Sequence, residues 1–384
     1  LTIVTLVIIS YAAYQASQFV LASAEWKVVE ANRGLYFTGR FPRDELWRIW
    51  VTLHGVAVLG GLSWRLWGNL GPRLPAALAL ACVPLYVFML EGWAMLWTGT
   101  CIASFAAAYF AAFPIRFSRF RDSARTATLL LWILVFLAAM IPTALFPSFL
   151  PVKGGLFSYV PDRLWGGLFL TMVLSVVGIA CSFPLGVLLA IGRASTFPVI
   201  RIFCIGYIEL IRGVPLITIL FMSLVIVRPA VEWERDILGI PITGYDTSLV
   251  VVAMLGLIIF TAAYVAEIVR GGLSAVDRGQ IEAGKALGLG GLQILALIVL
   301  PQALRAVIPA LVGQFISLFK DTSLVFILPL LDLLRVAQVA SSQQEFLGLQ
   351  AESLLFIALI YWIIAFSMSR ASQQLERNLG VGER

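Results

Sequence analysis

Residues 247–269 read TSLVVVAMLGLIIFTAAYVAEIV, and this run of 23 residues contains a single charged side chain, Glu267. About 20 predominantly apolar residues are enough for an α-helix to cross the hydrocarbon core of a bilayer. The whole chain of 384 residues shares this character, since 60% of it is hydrophobic and 12% is charged. Soluble domains carry about 25% charged residues, so most of this chain cannot face water. The sequence therefore predicts an all-α integral membrane protein.

Similar apolar runs on both sides of 247–269 predict ten membrane spans in all. They lie at 1–22, 47–64, 75–94, 97–114 and 127–147 in the first part of the chain, and at 165–192, 200–228, 247–269, 302–319 and 352–370 in the second. The stretch 324–339 is also apolar, but Pro329, Asp332 and Arg335 interrupt it, which favours a short or re-entrant segment. This layout divides the chain into an N-terminal extension of spans over 1–150 and a core over 151–384.

Basic residues between the spans predict which loops face the cytosol, because short cytosolic loops carry an excess of Lys and Arg. The loops that this rule places inside contain Arg65 and Arg73, then Arg116, Arg119, Arg121 and Arg125, then Arg193 and Arg201. An acidic loop around Glu232 falls outside, and both termini fall inside. The mixed charges of segment 23–46 fit this scheme least. The net charge of +6 thus reflects membrane orientation and predicts no nucleic-acid partner.

The sequence lacks the combinations of residues that catalysis, metal binding or nucleotide binding would need. His54 is the only histidine, and the four cysteines lie in apolar runs without the spacing of metal ligands. Gly279, Gly284 and Lys285 match the first part of a phosphate-binding P-loop, but Ala286 lacks the hydroxyl that would hold magnesium. We predict no catalytic residue, no metal site and no ATP bound by this chain.

The segment over about 271–301 is predicted to be a structured cytosolic loop. The residues from Asp277 to Gln280 indicate a turn, 281–287 a short helix and Gly288 a break, while Pro301 opens the next span at its first turn. A short helix rich in Ala and Gly holds together poorly in water, and its small side chains allow a partner surface to approach closely. A plain surface loop between two spans is the alternative.

This loop resembles the Glu-Ala-Ala loop of bacterial ABC importer permeases. Glu282-Ala283-Gly284 is followed after three residues by Gly288, and after nine more by Ile298-Val299-Leu300-Pro301, with Gly284 standing where the family usually has Ala. The resemblance implies the transmembrane domain of a type I ABC importer, with about five core spans preceded by about five extra N-terminal spans. It also implies a coupling helix that docks on a separate ATP-hydrolysing subunit. The coupling residues that it implies are Gln280, Glu282, Ala283, Gly284, Gly288 and Pro301.

Three other stretches resemble the polar amino-acid branch of that family, which serves histidine, glutamine and glutamate. They are ELIRGVPL at 209–216, YVAEIVRGG at 264–272 and KDTSL at 320–324. The layout is similar to the larger permease of general L-amino-acid importers. The resemblance implies a subunit of the bacterial inner membrane that moves polar or general L-amino acids. The implied partners are a second, paralogous permease subunit, two ATPase subunits that bind ATP and Mg, a periplasmic solute-binding protein and membrane lipid.

Charged residues inside the spans mark candidate positions for the substrate path. Glu209 and Arg212 lie three residues apart in the span 200–228, and Arg212 is expected roughly 16 Å from the start of that span, near mid-membrane. Gly213 and Pro215 follow, and such residues free backbone groups locally. Either this break lines the path, or Glu209 and Arg212 form a structural ion pair that holds two spans together.

Lys320 and Asp321 form a second candidate, together with Thr322 and Ser323. Neighbouring residues cannot face each other on one helix, so a zwitterionic amino acid could partner both charges while the hydroxyls contact its polar ends. The alternative is that Lys320 extends its side chain to the membrane surface. Glu267 and Arg270 are interpreted as an ion pair that anchors the coupling loop.

Other functional classes fit the sequence less well. A transporter driven by ions would place unpaired carboxylates at mid-membrane and often shows inverted repeats, and the sequence shows no convincing repeat. A membrane enzyme would need a nucleophile, a metal or an acid/base cluster. A purely structural membrane subunit is a third option. The ion-driven amino-acid transporter remains the main alternative to the ATP-driven importer.

Overall fold

The computed structural model describes residues 17–67, 93–116, 120, 122–132, 160–227 and 248–379, together with residues 5, 10, 11, 14 and 15. Almost all of this part of the chain is helical. The helices in chain order are α1 (Lys27–Ala31), α2 (Arg33–Thr38), α3 (Leu46–Trp67), α4 (Trp93–Arg116), α5 (Gly167–Arg193), α6 (Pro198–Arg212), α7 (Leu216–Met222), α8 (Leu249–Ala275), α9 (Arg278–Ala286), α10 (Gly291–Ile294), α11 (Leu300–Asp321), α12 (Leu333–Ser341) and α13 (Gln350–Leu379). One two-residue strand, β1 (Leu331–Asp332), precedes α12, and residues 122–132 are also helical.

Six helical segments in the described ranges are long and apolar enough to cross a membrane. They are Arg43–Leu66, Trp97–Ile115, Gly167–Arg193, Leu249–Ala275, Gly291–Ile327 and Gln350–Gln373. These segments confirm the predicted spans at 47–64, 97–114, 165–192, 247–269, 302–319 and 352–370. The predicted spans at 75–94 and 127–147 lie largely outside the described residues, and half of the predicted span at 1–22 does.

The predicted single span at 200–228 is wrong in shape. It consists of two helices, Pro198–Arg212 and Leu216–Ile226, which are bent by 112° at their junction. Pro215 has no backbone N–H and disfavours a helical conformation at the residue before it. Helix α6 therefore ends at Arg212, and α7 begins after Pro215. The bend lies just after Arg212, at the end of α6, and the depth of Arg212 in the membrane stays a prediction.

The core helices approach one another closely at glycines. A Cβ atom on Gly186 of α5 would lie 2.5 Å from Val265 of α8, and one on Gly272 of α8 would lie 2.6 Å from the Ala303 carbonyl of α11. Small residues at helix contacts let backbones pack tightly where lipid removes the hydrophobic driving force. The result is a bundle in which α8 lies centrally, against α5, α6, α7 and α11.

The stretch that was predicted to be short or re-entrant does not form a full-length helix. It contains a 3₁₀ segment (Thr322–Ile327), β1 and the nine-residue helix α12. A helix of nine residues is about 14 Å long, which is too short to cross a bilayer. Helices α1 and α2, which belong to the predicted extension, pack against α12 and α13 of the predicted core.

Candidate functional site

The predicted coupling loop folds into a short, capped helix. Helix α9 begins after Asp277, whose carboxylate Oδ1 accepts a hydrogen bond from the Gly279 N–H at 2.7 Å. The helix ends at Ala286, and Gly288, just after the cap residue Leu287, has a φ of +77°. There the Gly288 N–H donates to the Lys285 carbonyl at 2.9 Å, and the Leu289 N–H donates to the Gly284 carbonyl at 3.1 Å. This pair of bonds is the Schellman motif, in which glycine readily adopts the left-handed conformation.

The coupling residues divide into an exposed set and a supporting set. Gln280, Glu282 and Ala283 are exposed on α9, whereas Gly284 is buried. A Cβ on Gly284 would lie 2.9 Å from Ile298 Cδ1 and 3.1 Å from Ile294 Cγ1, so glycine lets α9 rest on the segment that follows it. Within the described ranges, the Glu282 carboxylate has no hydrogen-bond or ion-pair partner. Helix α9 thus presents a free carboxylate at one end of the bundle.

The same segment does not form a phosphate-binding loop. Gly279, Gly284 and Lys285 all lie within α9 rather than in a loop before a helix. The backbone N–H of Lys285 is therefore internal to the helix and cannot surround a phosphate. The geometry agrees with the prediction that this is not a nucleotide site.

Pro301 and the residues before it connect α9 to the next span. Gln293 accepts a hydrogen bond from the Gly290 N–H at 2.9 Å, which caps α10. A π-helical turn over Leu295–Val299 follows, and Pro301 lies in the first turn of α11. Pro301 has no N–H to donate, and it is tolerated inside the helical run Gly291–Ile327 because the π-helical turn directly before it adjusts the local hydrogen bonding. The predicted coupling loop is therefore helical over most of its length.

Five charged residues from three helices form a cluster near α9, which we call the charge cluster: Arg193, Glu209, Arg212, Glu267 and Arg270.

Glu267 is the centre of this cluster. Its Oε1 accepts from Arg270 Nη2 at 2.6 Å, and its Oε2 lies 3.3 Å from Arg193 Nη1 and 3.6 Å from Arg212 Nη1. Arg193 also contacts Glu209 at 3.0 Å. Glu267 lies two turns before the end of α8, so the cluster joins the ends of α5 and α6 to the span that leads into α9.

The cluster changes the interpretation of Glu209 and Arg212. No direct ion pair between them is seen in the described part of the chain; each is bound by a residue of another helix. Arg212 also lies over the ring of Tyr264, with its guanidinium carbon 5.7 Å from the ring centroid. Arg193, which the sequence had indicated only as a basic loop residue, is the last residue of α5 and contacts both carboxylates. The position of Arg193 at the end of a predicted span was the signal in the sequence that could have identified it as a member of the cluster.

Lys320, Asp321, Thr322 and Ser323 lie at the other end of α11 from the coupling loop. Helix α11 has 22 residues and is therefore about 33 Å long. Lys320 is exposed and Thr322 is buried, with its hydroxyl donating to the Phe319 carbonyl at 2.7 Å. Neither Lys320 nor Asp321 has a hydrogen-bond or ion-pair partner among the residues that the structure describes. The structure therefore separates the two groups of predicted path residues.

A cavity of about 270 Å³ lies beside Ser323. Its wall is formed by α12 and α13, with Leu334, Leu354, Ile357, Ala358 and Tyr361 around the serine. The lining is mostly apolar, with the Ser323 hydroxyl as a polar group. Within the described ranges, no group of three or more His, Cys, Asp or Glu side chains could hold a metal ion.

Known proteins resemble this chain over the core and over most of its length. The family described as the binding-protein-dependent transport system inner membrane component matches residues 182–381. The inner membrane amino-acid ABC transporter permease protein YhdY of Escherichia coli is 37% identical over 364 residues, which cover 94% of this chain and 79% of that protein. The glutamate/glutamine/aspartate/asparagine transport system permease protein BztC of Rhodobacter capsulatus is 36% identical over 364 residues, covering 92% of this chain and 78% of that one. A crystal structure of an amino acid ABC transporter with histidines is 27% identical and covers 54% of this chain and 90% of its own, with a TM-score of 0.45.

Proposed function

The chain belongs to the family of binding-protein-dependent transport system inner membrane components, and on that basis we propose that it forms one half of an import path for polar or general L-amino acids, driven by an ATPase that docks on α9. The observation that carries this proposal is the exposed helix α9 with its unpartnered Glu282, held between two spans.

Family membership confirms several predictions made from the sequence. The chain is an amino-acid ABC transporter permease, a transport subunit of the inner membrane and not an enzyme. The all-α membrane fold with the transmembrane domain of a type I ABC importer is confirmed as well, while the number of N-terminal spans is not. No finding supports the ion-driven alternative.

The partners follow from this role. ABC importer permeases work with an ATPase and other subunits. We propose a complex with a second, paralogous permease, two ATPase subunits that hold ATP and Mg, and a periplasmic solute-binding protein. The names of the relatives, which include glutamate, glutamine, aspartate and asparagine, support a polar amino acid as cargo.

Uptake by the reconstituted complex tests this function. In proteoliposomes that contain the chain, its permease partner and the ATPase, uptake of L-glutamate or L-glutamine should require ATP inside and the loaded binding protein outside. An ionophore that collapses ion gradients should leave the initial rate unchanged, because the energy comes from ATP hydrolysis. Uptake that persists without ATP and stops with the ionophore would contradict the proposal and favour the ion-driven transporter.

We propose that Lys320, Asp321, Thr322 and Ser323 line the substrate path at the end of α11 away from the coupling loop. The absence of a protein partner for Lys320 and Asp321 in the described part of the chain supports this role, since a zwitterionic amino acid offers both opposite charges. The break at Gly213 and Pro215 is proposed to border the path at the other end. Glu209 and Arg212 are proposed to hold that end together through the charge cluster, which is the structural role left open by the sequence.

Asp321→Asn is expected to raise the amino-acid concentration needed for half-maximal uptake by about 10–100-fold. The reason is that a hydrogen bond to a charged group contributes about 1.5–3 kcal/mol. Basal ATP hydrolysis should stay unchanged, because Asp321 lies at the far end of α11 from α9. The matched control is Glu345→Gln, which removes an exposed charge from the loop between α12 and α13. If Asp321→Asn and the control reach half-maximal uptake at the same amino-acid concentration, the proposal that Asp321 lines the substrate path is wrong.

A further inference from the structure

Residues 25–41 of the N-terminal extension are built into the core. Val28 and Tyr36 are fully buried and Val29 nearly so, in a cluster formed with α12, α13 and Phe346. The Tyr36 ring stands edge-on to Phe356 of α13, with 5.1 Å between the centroids. Segments this short do not form stable helices alone, so α1 and α2 owe their structure to this contact.

Polar contacts fix the same segment to two core helices. The Tyr36 and Ser353 hydroxyls are hydrogen-bonded, and Ser353 Oγ also donates to the Ala337 carbonyl at 2.9 Å. This chain of bonds joins α2, α13 and α12 in a buried place, where an unpaired hydroxyl would be costly. Nearer the surface, Gln343 Nε2 donates to Asn32 Oδ1 at 2.9 Å.

Three stretches of backbone also meet here without space for side chains. Gly39 bridges to Trp165, while Gly166 and Gly167 bridge to Leu331 and Asp332 of β1. A Cβ on Gly39 would lie 2.5 Å from Gly166 Cα, and Gly39 has a φ of +66°, which favours glycine. The contact is therefore specific to this pair of glycines.

We propose that residues 25–41 act as a brace, a fixed wall of the core that positions β1 and α12 beside the predicted path and stays docked throughout transport. Asp332 of β1 is buried and caps α12 by accepting from the Leu334 and Arg335 N–H groups at 2.9 and 3.2 Å. Leu334 of α12 and Ser323 both line the cavity described above. Because the brace packs against α12 and α13 in the buried cluster, it fixes the position of the cavity wall that these two helices form. The link to the path rests on the proposed function, whereas the docking of the brace does not.

A disulfide across the contact tests the docking. The full chain carries Asn32→Cys and Gln343→Cys with its native cysteines replaced by serine, and a protease site is inserted between residues 148 and 160, after the predicted span at 127–147. After oxidation in membranes and cleavage, the two fragments should stay joined on a non-reducing gel. Gly34→Cys paired with Gln343→Cys is the matched control, because Gly34 has open space around it and should give little cross-linking. Absence of the cross-link in the Asn32 pair would overturn the proposal.

Uptake by the cross-linked complex decides whether the brace is fixed. The oxidised and reduced forms of one sample should transport at equal rates, since a wall need not move. A loss of uptake on oxidation that a reductant restores would show a moving lid and would overturn the fixed brace. If the complex with the unsubstituted chain does not transport, the proposed function fails while the cross-link still reports the docking.

Gly39→Ala provides the second, independent measurement. The added methyl group would meet the Gly166 backbone, so the yield of the Asn32–Gln343 cross-link should fall several-fold. Complexes that still assemble should need about threefold or more of the loaded binding protein for half-maximal stimulation of the ATPase, with basal hydrolysis unchanged, because small displacements of a positioned wall have large effects. Gly34→Ala is the control. Equal behaviour of the two variants would contradict a positioning role for the brace.

Discussion

Replacing Glu282 with alanine is expected to abolish ATP-driven uptake while the chain remains folded in the membrane. Glu282 is exposed in the middle of α9 and makes no contact that the described structure needs. Substitutions at such exposed positions usually change stability by less than about 0.5 kcal/mol. The expected loss of uptake would therefore come from a weaker contact between Glu282 and the ATPase, and not from unfolding of the chain.

The size of this effect follows from the energetics of interface contacts. Truncation of one partner of a buried, hydrogen-bonded charge pair at an interface costs about 2–5 kcal/mol, and a loss of about 2 kcal/mol already weakens the association about 30-fold. ATPase bound to the purified permease, stimulated ATP hydrolysis and uptake should all fall together. Glu282→Gln keeps the length and shape of the side chain, so it separates the contribution of charge from that of packing.

Ser274→Ala is the control for Glu282. Ser274 is exposed at the end of α8, and its hydroxyl donates only to the Arg270 carbonyl within its own helix at 3.0 Å. This variant should bind the ATPase and transport as the unchanged chain does. Full uptake and docking by Glu282→Ala would remove α9 as the coupling surface.

Hydropathy predicted best the spans in which an apolar run of sufficient length forms one continuous helix. The runs 165–192 and 247–269 became α5 and α8 with small shifts in their ends. The run 200–228 has similar hydropathy but contains Gly213 and Pro215. Hydropathy counts these as interior residues, although their backbone chemistry turns the chain by 112°. The short helix predicted at 281–287 is α9, but it begins at Arg278, where a turn was predicted, because Asp277 caps it; the glycine that ends it was a local signal.

Long-range contacts were not predictable from the single sequence. Arg193 and Glu267 are 74 residues apart, and nothing in either neighbourhood indicates that they meet. The brace is a stronger example, because Tyr36 finds its hydrogen-bond partner 317 residues later in the chain. Mixed charges and two very short helices give that segment no periodic pattern. Its buried residues are determined by tertiary packing, which only the structure shows.

Glu267→Ala is expected to destabilise the core by disconnecting α8, which leads into α9, from α5 and α6. The variant leaves Arg193, Arg212 and Arg270 with Glu209 as their one carboxylate in the charge cluster. Breaking a buried ion pair in this way costs about 3–5 kcal/mol, and because the side chain of Glu267 is 24% exposed, solvent screening should reduce the cost to about 1–3 kcal/mol. Thermal unfolding in detergent should shift downward, and assembled complex should decrease.

Asp122→Ala is the matched control for Glu267, because Asp122 and Arg125 form an ion pair with the same three-residue spacing as Glu267 and Arg270. Asp122 is almost fully exposed, and Arg125 retains its bonds to the Leu66 carbonyl, so its loss should leave the unfolding temperature nearly unchanged. In Glu267→Ala complexes that do assemble, uptake should fall more than ATP hydrolysis, because α8 no longer holds α5 and α6 while α9 still binds the ATPase. A double-mutant cycle with Arg193→Gln separates this coupling from simple loss of charge. If both the stability and the ratio of uptake to ATP hydrolysis are unchanged in Glu267→Ala, the charge cluster neither stabilises the core nor couples hydrolysis to uptake.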